Sequence, residues 1–124
     1  MVLGNSKNIL SKKSYEFSIS IIRIYKSIIT EQKEFTLGKQ LLRSGTSIGA
    51  LIRESEFAQS KADFINKLSI SLKEANETKY WLSLLHDTEY IEKDSYTKLN
   101  SEVMELIALL VASIKTSKKS INRL

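Results

Sequence analysis

The scarcity of turn-forming residues is the feature that most restricts what this chain can fold into. Its 124 residues include only four glycines and no proline. A sheet of short strands needs frequent turns, and glycine and proline supply most of them. Long helices joined by a few connections therefore fit the sequence better than many strands. The length suits one domain, residues 1–124, with a core of its own.

Apolar residues recur at intervals of three and four along four segments, which is the spacing of one helix face. The predicted helices are approximately residues 14–32, 36–58, 61–86 and 95–117. The first segment is rich in isoleucine, which also favours strands, but its length favours a helix. Because short polar connections separate the segments, we expect an all-α fold, an antiparallel up-down-up-down four-helix bundle.

Local signals in the second and third segments refine this prediction. Gly45 and Gly49 lie four residues apart on one helix face, where another helix could approach closely. The alternative is a break in the helix between them, because glycine, serine and threonine have low helix propensity. Thr36 is a candidate N-cap, and Ser60 with Asp63 three positions later forms a capping-box-like pattern.

The stretch Tyr-Trp-Leu-Ser-Leu-Leu at residues 80–85 places five large apolar side chains in six positions. On a helix these side chains span about 200°, roughly twice the width of a stripe that faces one core. We therefore expect Tyr80, Trp81 and Leu84 to contact another copy of the chain, since homo-oligomers are common and their interfaces favour aromatics. The alternative is that the third helix is the most buried helix of a monomer.

The formal net charge of +5 is concentrated at the two ends of the chain. Residues 14–114 carry twelve basic and fourteen acidic side chains. The remaining basic residues are Lys7, Lys12, Lys13, Lys115, Lys118, Lys119 and Arg123. In an up-down-up-down bundle both ends lie at one pole, which we expect to bind the backbone of RNA or DNA. The alternative is solvated, frayed termini. Tyr15 is the only aromatic residue near these ends, so base stacking is not indicated.

Groups that could support catalysis are scarce. The chain has no cysteine and a single histidine, His86, which we expect to occupy the end of a helix. A di-metal carboxylate site needs Glu-x-x-His on two helices, and the single histidine, with Ser83 three positions before it, excludes that site. The sequence also contains neither a phosphate-binding loop nor a nucleophile elbow. We therefore expect no catalytic residues, no metal, no cofactor and no enzymatic activity.

No segment has the length or apolar character of a signal peptide or a membrane-spanning helix. We therefore expect a cytoplasmic protein with no membrane partner.

Segments two and three share residues with a known family. The matching stretches are Gln40-Leu41-Leu42-Arg43, Ser47-Ile48, Ile52 with Glu54, Phe64, and Ile70-Ser71-Leu72-Lys73-Glu74-Ala75-Asn76-Glu77-Thr78-Lys79-Tyr80-Trp81-Leu82. On these residues the chain, over about 14–115, resembles the small bacterial four helix bundle family, also called the ribosomal RNA intervening-sequence protein family. Two positions depart from the family pattern, since Leu51 stands where asparagine is usual and Ser55 where glycine is.

The resemblance implies a helical bundle that forms oligomers, because relatives of similar build assemble into pentameric barrels. It also implies a possible nucleic-acid role, because related accessory proteins of diversity-generating retroelements work with a reverse transcriptase.

Among the residues of the family-like motif, Arg43, Ser47, Glu54, Glu74 and Glu77 are polar. Glu74 and Glu77 are neighbours on one helix face, and Arg43 could pair with them. We expect an interhelical polar network or a solvated face, with a metal or basic-ligand site as the alternative.

Two functions therefore fit the sequence. One is a non-enzymatic oligomeric adaptor that binds nucleic acid through the basic pole. The other is a protein-interaction scaffold that uses the apolar surface of the third helix.

Overall fold

The computed structural model describes residues 3–122 and the side chains of residues 9–121, and it contains helices and no strand in this range. The four helices are α1 (Leu3–Ser27), α2 (Thr36–Ser55), α3 (Lys61–Asp87) and α4 (Lys93–Asn122). A π-helical turn, Ile28–Gln32, continues directly from α1. The prediction of an all-α fold built from four helices is confirmed.

The first and last helices are longer than the apolar pattern indicated. Helix α1 begins at Leu3 rather than near residue 14, and α4 covers Lys93–Asn122 rather than 95–117. Neither segment contains a residue that would stop a helix early, apart from Gly4, so the helical backbone continues beyond the apolar stripe. Helix α2 ends at Ser55 rather than near residue 58, because the N–H groups of Glu56 and Phe57 donate to carbonyls three residues earlier.

The starts of α2 and α3 are capped differently. Ser60 caps α3 as predicted, because its Oγ accepts from the backbone N–H of Asp63 at 3.0 Å. The prediction for Thr36 was wrong, since Thr36 is already the first residue of α2. There the carboxylate of Glu34 accepts from the N–H groups of Thr36 at 2.9 Å and Leu37 at 3.3 Å. A negative charge at this place suits the N-terminal end of a helix dipole.

Each helix packs against two others: α1 against α2 and α4, and α3 against α2 and α4. The side chains they enclose form one apolar core, against which further apolar side chains pack in partly buried positions. Its largest fully buried members are Phe17, Ile21, Ile28, Leu41, Ile48, Ile52, Leu68, Leu82, Leu85, Val103, Leu106 and Leu110.

Helix α2 is continuous through its glycines, so the alternative of a break was wrong. A Cβ atom added to Gly45 would lie 2.8 Å from Cγ1 of Ile21 on α1, closer than real carbon contacts allow. A Cβ atom at Gly49 would lie 3.3 Å from the backbone oxygen of Ser14. The predicted close approach of another helix is therefore confirmed, and that helix is α1.

The contacts of α2 with α1 and with α3 follow a reversed order. As the α2 residue number rises, the number of its partner on α1 falls, and the same holds on α3. The pairs are Gly38 with Ile28, Gly45 with Ile21 and Gly49 with Ser14 on the α1 side, and Arg43 with Glu77, Ile48 with Ser71 and Glu54 with Lys67 on the α3 side.

Candidate functional site

The apolar stretch of α3 is only partly exposed in the single chain. Leu82 and Leu85 are fully buried, whereas Trp81 and Leu84 are half-buried. Tyr80 remains 59% exposed, and its ring meets that of Trp81 edge-on at 5.0 Å between centroids. Most of the wide apolar arc is therefore covered by the chain's own core, and the Tyr80 ring is the part of the stretch that stays exposed.

A polar cluster bridges α2 and α3 beside this stretch. One guanidinium nitrogen of Arg43, Nη1, lies 3.3 Å and 3.1 Å from the two carboxylate oxygens of Glu74. The other, Nη2, donates to Oε1 of Glu77, and the same oxygen accepts from the indole Nε1–H of Trp81 at 3.0 Å. The structure thus joins Arg43, Glu74 and Glu77 in one interhelical network.

The charges in this network reinforce one another. The hydrogen bond from Trp81, followed by that from Arg43, lowers the pKa of the Glu77 carboxyl below its ordinary value of 4.5. The hydrogen bond to Glu77 raises the pKa of Arg43. Both groups are therefore charged at neutral pH, and the network fixes the Trp81 ring through its indole nitrogen.

The other two polar residues of the family-like motif lie outside this cluster. The Ser47 hydroxyl donates to the carbonyl of Arg43 in its own helix, at 2.6 Å. Glu54 pairs with Lys67 at 3.7 Å, at the far end of the same helix pair. Each of these two side chains therefore makes its own separate contact and does not join the Arg43 network.

The basic residues of the predicted pole lie on two adjacent helices. Lys12 on α1 and Lys115, Lys118 and Lys119 on α4 are all exposed, and none forms an ion pair with another described side chain. Lys13 is an exception, because its Nζ lies 3.2 Å from Oε1 of Glu105.

The side chains of two further residues predicted for the basic pole lie outside the described set. Lys7 lies on α1, but its side chain is outside the described set. Arg123 lies outside the described residues altogether.

A groove between α1 and α2 was not anticipated from the sequence. Its volume is about 350 Å³, and Tyr15, Ile22 and Arg53 lie along it. Tyr15 is 60% exposed and Ile22 is 39% exposed. Their spacing of seven residues was the available signal, since it places both side chains on one face outside the buried stripe.

His86, in the last turn of α3, contacts the side chains of Tyr96 and Asp87. Its ring stacks on Tyr96 with 4.4 Å between centroids, and its Nδ1 lies 3.0 Å from a carboxylate oxygen of Asp87. Within residues 3–122, no three histidine, cysteine, aspartate or glutamate side chains are grouped so that they could hold a metal ion. No helix in that range has an apolar run long enough to cross a bilayer.

The fold and the surface define a small all-α helical bundle with exposed lysines on α1 and α4 and an interhelical arginine–glutamate network. The family described as 23S rRNA-intervening sequence protein matches residues 6–112. The match covers most of the chain, and the protein belongs to this family.

Comparison with solved structures supports the same assignment. A crystal structure of a protein of unknown function from the S23 ribosomal protein family of Bacteroides thetaiotaomicron is 56% identical in sequence, with a TM-score of 0.87. The alignment covers 89% of this chain and 98% of that one. Comparison with curated proteins yields no match.

Proposed function

We propose that this protein is a non-enzymatic, oligomeric, antiparallel four-helix bundle that binds RNA electrostatically through one basic pole. The observation that carries the proposal is the set of exposed lysines on neighbouring helices: Lys12, Lys115, Lys118 and Lys119. Phosphate backbones bind such surfaces without regard to sequence, because each neutralised phosphate releases counterions. The family description names a 23S rRNA intervening sequence, so RNA is the nucleic acid to test first.

The positions of these lysines follow from the helix directions. The reversed order of contacts along α1–α2 and α2–α3, and the short connection from α3 to α4, support an up-down-up-down arrangement. The ion pair between Lys13 and Glu105 sets the register of α1 beside α4. In that arrangement residues 115–119 extend roughly 15–20 Å beyond Glu105, beside the part of α1 that precedes Lys12, at about 1.5 Å per residue. The exposed lysines would then lie along one end of two neighbouring helices.

The test is the affinity for a labelled RNA measured by fluorescence anisotropy at several salt concentrations. We expect the double variant Lys118→Glu, Lys119→Glu to bind more weakly. We also expect its slope of log affinity against log salt to fall by about one for each lost phosphate contact. The matched control is Lys93→Glu, Lys98→Glu, which reverses two exposed lysines at the other end of the same helix. Equal affinities for the two double variants would contradict the proposal.

The second candidate function is a protein-interaction scaffold, and the exposed Tyr80 ring is the observation that favours it. An aromatic side chain that projects from a rigid helix is a common anchor of interfaces. We expect the same ring to contribute to association between copies, with a pentamer as the assembly to test.

Light scattering after size exclusion gives the mass of the assembly. Tyr80→Ala should shift it towards one chain, whereas Phe57→Ala, which removes another exposed aromatic ring, should leave it unchanged. A single-chain mass for the unmodified protein would contradict the assembly.

A further inference from the structure

We propose that the groove between α1 and α2 binds one nucleotide of a single-stranded RNA, with its base stacked on Tyr15 and a neighbouring phosphate on Arg53. This inference deepens the proposed function and rests on it, since it names the form of RNA that the protein prefers. The basic pole supplies attraction to any phosphate backbone, and the groove supplies a contact that only an unpaired base can make.

The residue pattern alone did not indicate base stacking, but in the folded chain Tyr15 has the exposure and the position that stacking needs. Its side chain is 60% exposed on the outer side of α1, one turn after Lys12. In the part of the chain that the structure describes, the aromatic pairs are Tyr80 with Trp81 and His86 with Tyr96, so the ring of Tyr15 is not engaged with another aromatic ring. Tyr15 can therefore stack on a base while Lys12, one turn earlier, contacts a phosphate of the same strand.

Arg53 supplies the positive charge on the opposite wall. Thr46, Ala50 and Arg53 follow one another at spacings of four and three, so α2 presents all three to the same groove. Arg53 is exposed and forms no ion pair with the side chains of residues 9–121. A guanidinium without an acidic partner can bind phosphate through two parallel hydrogen bonds. No carboxylate lines the groove, so its charge is complementary to a polyanion.

The hydroxyl groups of the groove favour ribose over deoxyribose. Ser18 Oγ donates to the carbonyl of Ser14 at 3.0 Å, and Thr46 Oγ1 donates to the carbonyl of Leu42 at 2.7 Å. With their hydrogens used in this way, both oxygens keep lone pairs that can accept from a donor in the groove. A ribose 2′-hydroxyl is such a donor, and deoxyribose lacks it.

The shape of the groove fits one nucleotide rather than a duplex. Its volume of about 350 Å³ lies at the lower end of the range for small-ligand sites. Gly49 forms part of its wall, where a Cβ atom would lie 3.3 Å from the Ser14 carbonyl oxygen. Bases inside a duplex are already stacked on each other, so a duplex can reach the lysines but cannot place a base on Tyr15.

The test compares three oligonucleotides of equal length and related sequence: single-stranded RNA, duplex RNA and single-stranded DNA. Each is titrated against the unmodified protein and the variants Tyr15→Leu, Tyr15→Phe and Arg53→Gln. Phe57→Leu is the matched control, because it removes an exposed aromatic ring outside the groove. Light scattering on every variant verifies that the assembly is unchanged.

We expect Tyr15→Leu to weaken binding of single-stranded RNA about tenfold and to leave duplex binding unchanged, because only the single strand stacks on the ring. Tyr15→Phe should retain the affinity, and Arg53→Gln should weaken binding of the single strand. The unmodified protein should prefer single-stranded RNA to single-stranded DNA. Phe57→Leu should bind like the unmodified protein.

The outcomes separate this inference from the proposed function. If Lys118→Glu, Lys119→Glu weakens binding but Tyr15→Leu does not, the groove assignment is overturned and the basic pole stands. Equal affinity for the two single strands overturns the assignment of the hydroxyls to ribose. If the unmodified protein binds none of the three oligonucleotides, the proposed function itself fails.

Discussion

Helix α2 packs against two neighbours, and different forces act on its two sides. On the α1 side the glycines allow backbone and side chains to approach closely, as where a Cβ atom on Gly45 would lie 2.8 Å from Ile21. On the α3 side the contact includes a buried hydrogen bond from Ser71 to the Ile48 carbonyl at 2.9 Å and the solvent-exposed network around Arg43. Both sides contribute to the apolar core; the α1 side is limited by shape, and the α3 side adds polar contacts.

This difference sets how each interface should respond to substitution. Steric repulsion rises steeply over a few tenths of an ångström, so the α1 side should not accommodate an added methyl group at Gly45. Ion pairs near the surface are screened by water and contribute little each, so the α3 side should tolerate the loss of a charge. Loss of the buried hydrogen bond between Ser71 and the Ile48 carbonyl should have an intermediate effect, because water cannot replace the lost donor there.

The largest effect should come from Gly45→Ala. The added methyl group would meet Cγ1 and Cγ2 of Ile21, which are attached directly to the Cβ of a fully buried side chain and cannot swing away. Overpacking of this kind costs about 1–3 kcal/mol, and the better helix propensity of alanine offsets about 1 kcal/mol. We expect a net loss of up to about 2 kcal/mol in the free energy of unfolding, measured by urea denaturation.

Gly38→Ala is the matched control for that substitution. Its added methyl group would lie 3.5 Å from the nearest atom, an ordinary contact, so the protein should be unchanged or slightly more stable. If both alanine variants behave alike, the α1–α2 interface does not depend on the close approach at Gly45.

An intermediate effect is expected from Ser71→Ala on the α3 side. Ser71 is fully buried, and its hydroxyl makes a hydrogen bond to another helix. Losing such a bond costs about 1 kcal/mol in the free energy of unfolding. Ser69→Ala is the control, because that hydroxyl is exposed and donates to its own helix at Ile65; its effect should stay within about 0.5 kcal/mol. Equal losses in the two variants would show that burial of the bond is unimportant.

The smallest effect should come from Glu77→Gln. The amide oxygen can still accept from Trp81, so the change mainly removes the ion pair with Arg43. Because both partners are partly exposed, we expect a loss of no more than about 1 kcal/mol near neutral pH. The measurement is urea denaturation of both proteins over a range of pH.

The pH dependence of this difference gives a further check. Folding lowers the pKa of Glu77, so its stabilising contribution is present above the ordinary value of 4.5 and is lost as the pH falls through the lower value in the folded protein. The two proteins should therefore become equally stable in acid. A difference that persists unchanged in acid would argue that the ion pair is not its source.

Local chemistry made much of the fold predictable. The four amphipathic segments, the N-cap at Ser60 and the shared face of Gly45 and Gly49 all follow from residue spacing within one helix. Such signals involve residues a few positions apart, whose relative geometry the helix itself fixes. The Arg43 network was an open possibility, because the sequence shows which residues can pair but not which helices are adjacent.

The sequence by itself determined that this chain forms four long helices, because helix formation depends on near neighbours and the chain has few residues that interrupt it. Tertiary structure decided which side chains remain exposed. It leaves Trp81 and Leu84 half-buried, it pairs Lys13 with Glu105, and it places Arg53 across a groove from Tyr15. These outcomes depend on distances between residues far apart in the chain, which only the packing of one helix on another sets.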